Sequence, residues 1–151
     1  MIQKKKLRLI AILMTLTFFT GCMGHGQEDG VVQEMVFSLR TNFSEFSGDD
    51  LGALLFEEII ESFEHDIWDF MVLSPVEPIN NSTFMQVGAP EEIVNYHYTL
   101  EIGFYSDESG LTMYRLYTLN KDFILQCFVD YWQDQVIPDV SSWEDITEEM
   151  N

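Results

Sequence analysis

The chain has 151 residues, 46% of them hydrophobic and 14% aromatic, a composition that supports a packed core and argues against disorder. Lys and Arg number 7 against 26 Asp and Glu. That balance makes nucleic acid a very poor partner, because binding it rests on neutralising phosphates with Lys and Arg.

Lys4, Lys5, Lys6 and Arg8 precede an apolar run from Leu9 to Phe19. A basic flank, a short apolar core and a small residue before the cut describe an export signal. The run is shorter than the ~20 apolar residues of a transmembrane helix. Its end, Phe19-Thr20-Gly21-Cys22, resembles the lipobox of bacterial lipoproteins, with Phe19 where that family usually carries Leu. The resemblance is confined to residues 1–22. It implies a signal peptide over 1–21, cleavage before Cys22 and acylation of that sulfur by palmitate-type chains. The mature protein would then be anchored at the cell membrane on its extracytoplasmic face. Each buried methylene contributes ~0.8 kcal/mol, so two or more chains hold a protein on a bilayer stably.

Removal of 1–21 leaves Arg40, Arg115 and Lys121 against all 26 acids, a net charge of −23. An anionic membrane surface repels such a domain, and cationic partners are steered towards it. Solubility is the plainer consequence of the same charge. With Cys22 acylated, Cys127 has no internal partner and reads as a small core residue.

Residues 22–30 form the lipidated cysteine and a Gly-rich polar linker that includes His25. Residues 31–143 are expected to make one domain. Met35, Phe37 and Leu39 alternate as in a strand, while Val36, Leu39, Phe43 and Phe46 also fit helical spacing; a strand over 33–43 is the preferred reading. Ser47-Gly48-Asp49-Asp50 resembles a capping box opening a helix from Leu51 to Glu64. Leu51, Leu55, Phe56, Ile59, Ile60 and Phe63 form its apolar face; Glu57, Glu58, Glu61 and Glu64 form an acidic back that no base in the segment relieves.

A short buried strand is expected from His65 to Leu73, ending at Ser74-Pro75, then a loop to Ser82. Thr83–Val87 is a second short strand stopped at Gly88-Ala89-Pro90. Tyr96–Phe104 and Leu111–Leu119 form a hairpin about the turn 106–110. Pairing Tyr105 with Leu111 sets Leu100 against Leu116, Ile102 against Tyr114 and Glu101 against Arg115. A slip of one residue would lose every one of these matches. Asn120 caps a second helix over 121–135, apolar on most sides except for Gln126, Asp130 and Gln133. Trp143 anchors the tail, and 144–151 is expected to be acidic and frayed. The fold class is therefore α+β: an antiparallel sheet of about four to five strands with two helices packed on one face.

The acidic back of the first helix reads first as a solvated face; as a site it suits a basic protein surface better than Ca²⁺, since no D-x-D-x-D-G loop exists. His65 and His97 lack the H-E-x-x-H spacing of a zinc helix and read as structural or surface residues. Asp107 and Glu108 are turn residues at the hairpin tip. Tyr105 and Tyr117 fall on the hairpin's opposite face, where exposed tyrosines beside acids make a recognition patch. The candidate partner-binding residues are thus Glu57, Glu58, Glu61, Glu64, Tyr105 and Tyr117. No catalytic residue, cofactor or metal site is assigned.

From Leu54 to Trp143 the element order is loosely similar to small immunity-type domains of bacterial polymorphic-toxin systems. The residues behind this are Phe84-Met85-Gln86-Val87-Gly88, Tyr98-Thr99-Leu100-Glu101, Met113-Tyr114-Arg115-Leu116-Tyr117 and the terminal helix reaching Trp143. The resemblance implies a stoichiometric inhibitor that covers a toxin's active site, without catalysis of its own, and the acidic balance suits a basic toxin. Two other readings stand beside it. One is an envelope hydrolase using paired carboxylates; the other is a structural lipoprotein of an envelope complex, marked by an exposed apolar patch.

Overall fold

The computed structural model describes residues 35–65 and 67–150. The signal segment, Cys22, the linker with His25 and the first two residues of the strand expected over 33–43 lie outside the described residues. Seven strands form one antiparallel sheet in the order β2-β1-β3-β4-β5-β6-β7. They are β1 (Phe37–Thr41), β2 (Glu45–Ser47), β3 (Phe70–Pro75), β4 (Ser82–Glu91), β5 (His97–Ser106), β6 (Gly110–Thr118) and β7 (Glu144–Asp145). Two helices, α1 (Ala53–Ser62) and α2 (Lys121–Val129), complete an α+β fold. The sheet is larger than the four to five strands expected, because β2 and β7 are too short to show any period of their own.

Alternation along the strands builds the core. Phe37 and Leu39, Met71 and Leu73, Met85 and Val87, and Leu100 and Ile102 are all buried in one cluster. The same cluster takes Phe56, Ile59, Ile60 and Phe63 from α1 and the turn after it, and Ile124, Cys127 and Phe128 from α2. Phe56 meets Phe128 at 6.0 Å between ring centroids and Trp132 at 5.7 Å, nearly edge-on. Phe63 packs on Tyr98, and Tyr131 packs on Phe37.

Several expected boundaries move. Ser47 is the last residue of β2, paired with Ser38, and its side chain makes no cap hydrogen bond. A left-handed Gly48 starts a separate 3-10 turn there, and α1 begins only after Gly52. His65 ends a 3-10 turn, so β3 starts at Phe70 and runs on through Pro75. β4 does not stop at Gly88-Ala89-Pro90. Gly88 pairs with Thr99 and Glu91 with His97, so β4 carries one residue more than β5 between those pairs. This bulge accommodates Pro90, which has no N–H to give to the ladder.

The hairpin register is the expected one, from Tyr98 opposite Thr118 to Ser106 opposite Gly110. Asn120 caps α2 by accepting from the Phe123 amide at 3.0 Å. Beyond Val129 the helix widens into a π turn over Asp130–Asp134. The wider turn places Tyr131 in the core while Trp132 still reaches Phe56. The tail is not frayed: β7 pairs with β6, Ile146 is buried, and its amide donates to the Met113 carbonyl at 2.9 Å.

Candidate functional site

Strand register places one residue from every strand in a single row across the sheet. Arg40 stands opposite Glu45 on one side and Val72 on the other. Val72 stands opposite Gln86, Gln86 opposite Glu101, Glu101 opposite Arg115, and Arg115 opposite Glu144. With strands ~4.8 Å apart, the row runs ~29 Å and separates Arg40 from Arg115 by ~19 Å. These residues alternate with the buried apolar ones, so they occupy the opposite face of the sheet.

Three residues of the row, Gln86, Glu101 and Arg115, form a hydrogen-bonded network centred on a buried carboxylate. Glu101 is only 7% exposed. Arg115 Nε donates to its Oε1 at 2.6 Å, and Gln86 Nε2 donates to its Oε2. Arg115 Nη1 also donates to the Tyr117 hydroxyl at 3.3 Å and to Glu149 Oε2 at 3.1 Å. Burial alone would lower the guanidinium's pKa, but the bonds and charge of Glu101 more than offset this, so the group stays charged. Both Glu101 oxygens are engaged, which leaves it poorly placed as a free general acid or base.

An open concavity of about 490 Å³ lies beside this network, between the row and the end of the sheet where β4 finishes and β5 begins. Arg40, Glu101, Arg115 and Tyr117 line it, with Phe70 and Val94 as apolar wall. Two of the three basic residues outside the N-terminal segment thus face one concavity. Towards the other end of the same face, Phe84 is in register with Gly103 and lies so close that a Cβ on Gly103 would overlap its ring.

The residues expected to bind a partner do not form one site. Glu57, Glu58, Glu61 and Glu64 are exposed on α1 and the turn after it, as the helical spacing requires. Lys121, at the start of α2, donates to Glu64 at 2.7 Å and to Glu61 at 3.2 Å. Hydrogen bonding to Lys121 lowers the Glu64 pKa. Burial opposes charge on Lys121, but its bonds to Glu64 and Glu61 raise its pKa overall. The acidic back is therefore relieved by a base from another helix, which the local sequence could not show.

Tyr105 and Tyr117 are both exposed and both on the face of the polar row. Tyr117 pairs with Thr99, six residues along β5 from Tyr105, so the two tyrosines stand ~20 Å apart. Tyr117 joins the concavity; Tyr105 lies near the hairpin turn. His65 is exposed, and His97 Nδ1 lies 2.9 Å from the Val94 carbonyl oxygen. Sequence reasoning paired Glu101 with Arg115 but missed Gln86, Glu149 and Arg40 as their companions. Those come from strand order and from the returning tail, which leave no local pattern.

Among the described residues, no group of three His, Cys, Asp or Glu is arranged to hold a metal ion. No helix among them is long and apolar enough to cross a membrane. Comparison of the chain with known protein families, with curated proteins and with solved structures finds no match.

Proposed function

We propose that this is a membrane-tethered, extracytoplasmic lipoprotein whose folded domain binds a basic protein. In its narrower form the reading is an immunity-type inhibitor that covers a basic toxin. Both helices are taken to cover one face of the sheet, in keeping with the Phe63–Tyr98 and Phe37–Tyr131 ring contacts. The observation that carries the proposal is how the few cations are used. Arg115 holds Glu101 and Glu149, and Lys121 holds Glu61 and Glu64. The other acids outnumber Arg40 so heavily that the outward field is negative nearly everywhere, which steers a cationic protein inward and repels nucleic acid.

Attraction of this kind is screened by salt. The Debye length falls from ~30 Å at ~0.01 M to ~3 Å at ~1 M ionic strength. Envelope proteins captured on the purified domain should include a basic partner at the lower salt that is released at the higher. Recovery of no basic protein at low salt would sink the reading. The tether is tested separately by mass spectrometry of the native protein, where an acylated N-terminal Cys22 is expected and an intact Met1 refutes it.

A further inference from the structure

The chain enters β1 at Phe37, beside Pro75, at the same end of the sheet as the turn 106–110. The opposite end gathers the loop after β1, the segment before β3, the turn between β4 and β5, and the residues after β6. Strand order makes these neighbours. Asn42 Nδ2 donates to Asp69 Oδ2 at 3.1 Å, and the Asp69 amide donates back to Asn42 Oδ1 at 3.2 Å. The Tyr96 amide donates to the Glu91 carbonyl at 2.9 Å, and the Asn120 amide to Thr118 Oγ1.

This far end carries large apolar side chains that the fold leaves in water. Phe43 is 76% exposed, Ile67 51%, Tyr96 63% and Leu119 64%. They succeed one another along the strand ends, over ~19 Å from β1 to β6 at ~4.8 Å per strand. Tyr96 is also strained: Asn95 and Tyr96 have φ of 55° and 59°, two consecutive non-glycine residues in the left-handed region. Strain of this sort persists where the surroundings hold it, and it clusters at binding sites. Tyrosine is among the residues most enriched in interface hot spots.

We infer that this end of the sheet, remote from the point where the chain enters, is the docking surface for the basic partner; the inference rests on the function proposed above. Charge complementarity selects the occupant. Asp69, Glu91 and Glu92 are exposed around the apolar residues; Lys121 is bridged to Glu61 and Glu64 and Arg115 to Glu101 and Glu149, so those three acids outnumber Arg40, the base at the end of β1. A second copy of this chain would bring like charge, and so would an anionic bilayer. The fitting surface is an apolar depression rimmed by Lys and Arg, received over Tyr96 with the rim against Asp69, Glu91 and Glu92.

A photo-activated benzophenone side chain placed singly at Phe43, Tyr96 or Leu119 of the full-length chain, in producing cells, tests this against the same group at Val76 or Leu111. Those two are exposed at the other end of the sheet. A basic protein cross-linked from the first three positions and not from the last two is the expected pattern. Tyr96→Gly should then weaken the purified pair at least about tenfold while leaving the domain as stable or more stable, since glycine relieves the left-handed backbone. Cross-linking of that protein chiefly from Val76 or Leu111, or unchanged affinity in Tyr96→Gly, overturns this surface and leaves the proposed function intact. Products containing only a second copy or lipid, or no basic protein from any position, overturn both.

Discussion

Replacing Arg115 by Met tests whether the polar row is a network or a coincidence of register. The substitution keeps the aliphatic stem and removes the guanidinium, leaving Glu101, 7% exposed, with Gln86 as its remaining hydrogen-bond partner. Breaking a buried pair from one side costs ~3–5 kcal/mol, because an uncompensated charge stays behind. The Arg115 side chain retains 19% exposure, so water reaches the gap and the lower end, ~3 kcal/mol, is expected. Glu101→Gln should cost less, ~1–2 kcal/mol, since Arg115 keeps Tyr117 and Glu149 and no charge is stranded. Urea midpoints at constant slope measure both. In a thermal scan Arg115→Met should lower Tm by ~12 °C, taking ~4 °C per kcal/mol for a domain of this size. The double variant should fall short of the sum of the singles by ~0.5–3 kcal/mol. Additive effects, or an Arg115→Met cost below ~1 kcal/mol, would refute the network.

Other expectations follow from the same packing. The Tyr131 hydroxyl lies 2.8 Å from Ser82 Oγ with both residues buried, so Tyr131→Phe should cost ~1–3 kcal/mol and Ser82→Ala in that background should recover part of it. Burial, only partly offset by the Ser82 bond, pushes the Tyr131 phenol up from 10.0 to about 12. Its contribution to stability is therefore full below the unfolded value and lost as pH rises through that window, and the ultraviolet titration of native tyrosine should show Tyr131 among the late groups, with Tyr98, whose phenol burial also raises. Burial, with the nearby Asp130 charge, pushes the Cys127 thiol up to about 11. It should resist a disulfide reagent at neutral pH in the native protein and react once urea unfolds it; fast native labelling would contradict the packing. Ile146→Ala should cost ~2–5 kcal/mol, measured by urea unfolding, because Ile146 is buried where the tail crosses Met113.

What the sequence disclosed and what it hid divide along one physical line. The β5–β6 hairpin could be read in register because its partners are joined by a short turn and its alternation is regular. The Asn120 cap was equally local. The errors came where a distant segment overrides the local preference. Ser47 looks like a helix cap, but its backbone is already paired with Ser38. Pro90 looks like a strand stop, but a bulge against β5 carries the ladder past it. The last eight residues look frayed by charge, yet Ile146 finds Met113 and Glu149 finds Arg115. Of the candidate site only the Glu101–Arg115 pair was legible, since Arg40 and Gln86 come onto its face only through the order of five strands.

The distribution of positive charge ties stability to the proposed use. Arg115 joins β5, β6 and the returning tail, while Lys121 joins the end of α1 to the start of α2. Each holds together segments that a net charge of −19 would otherwise drive apart. Cations committed to cohesion in this way cannot also neutralise the surface. The edges follow the same logic: β2 and β7 are three and two residues long and bring Glu45, Glu144 and Asp145 to the rims, which discourages edge-to-edge pairing with another chain. Association through the sheet edges is thus disfavoured by length and by charge together. The exposed apolar residues at the ends of the strands are then the part of the surface best suited to contact, and the field around them selects a cationic protein.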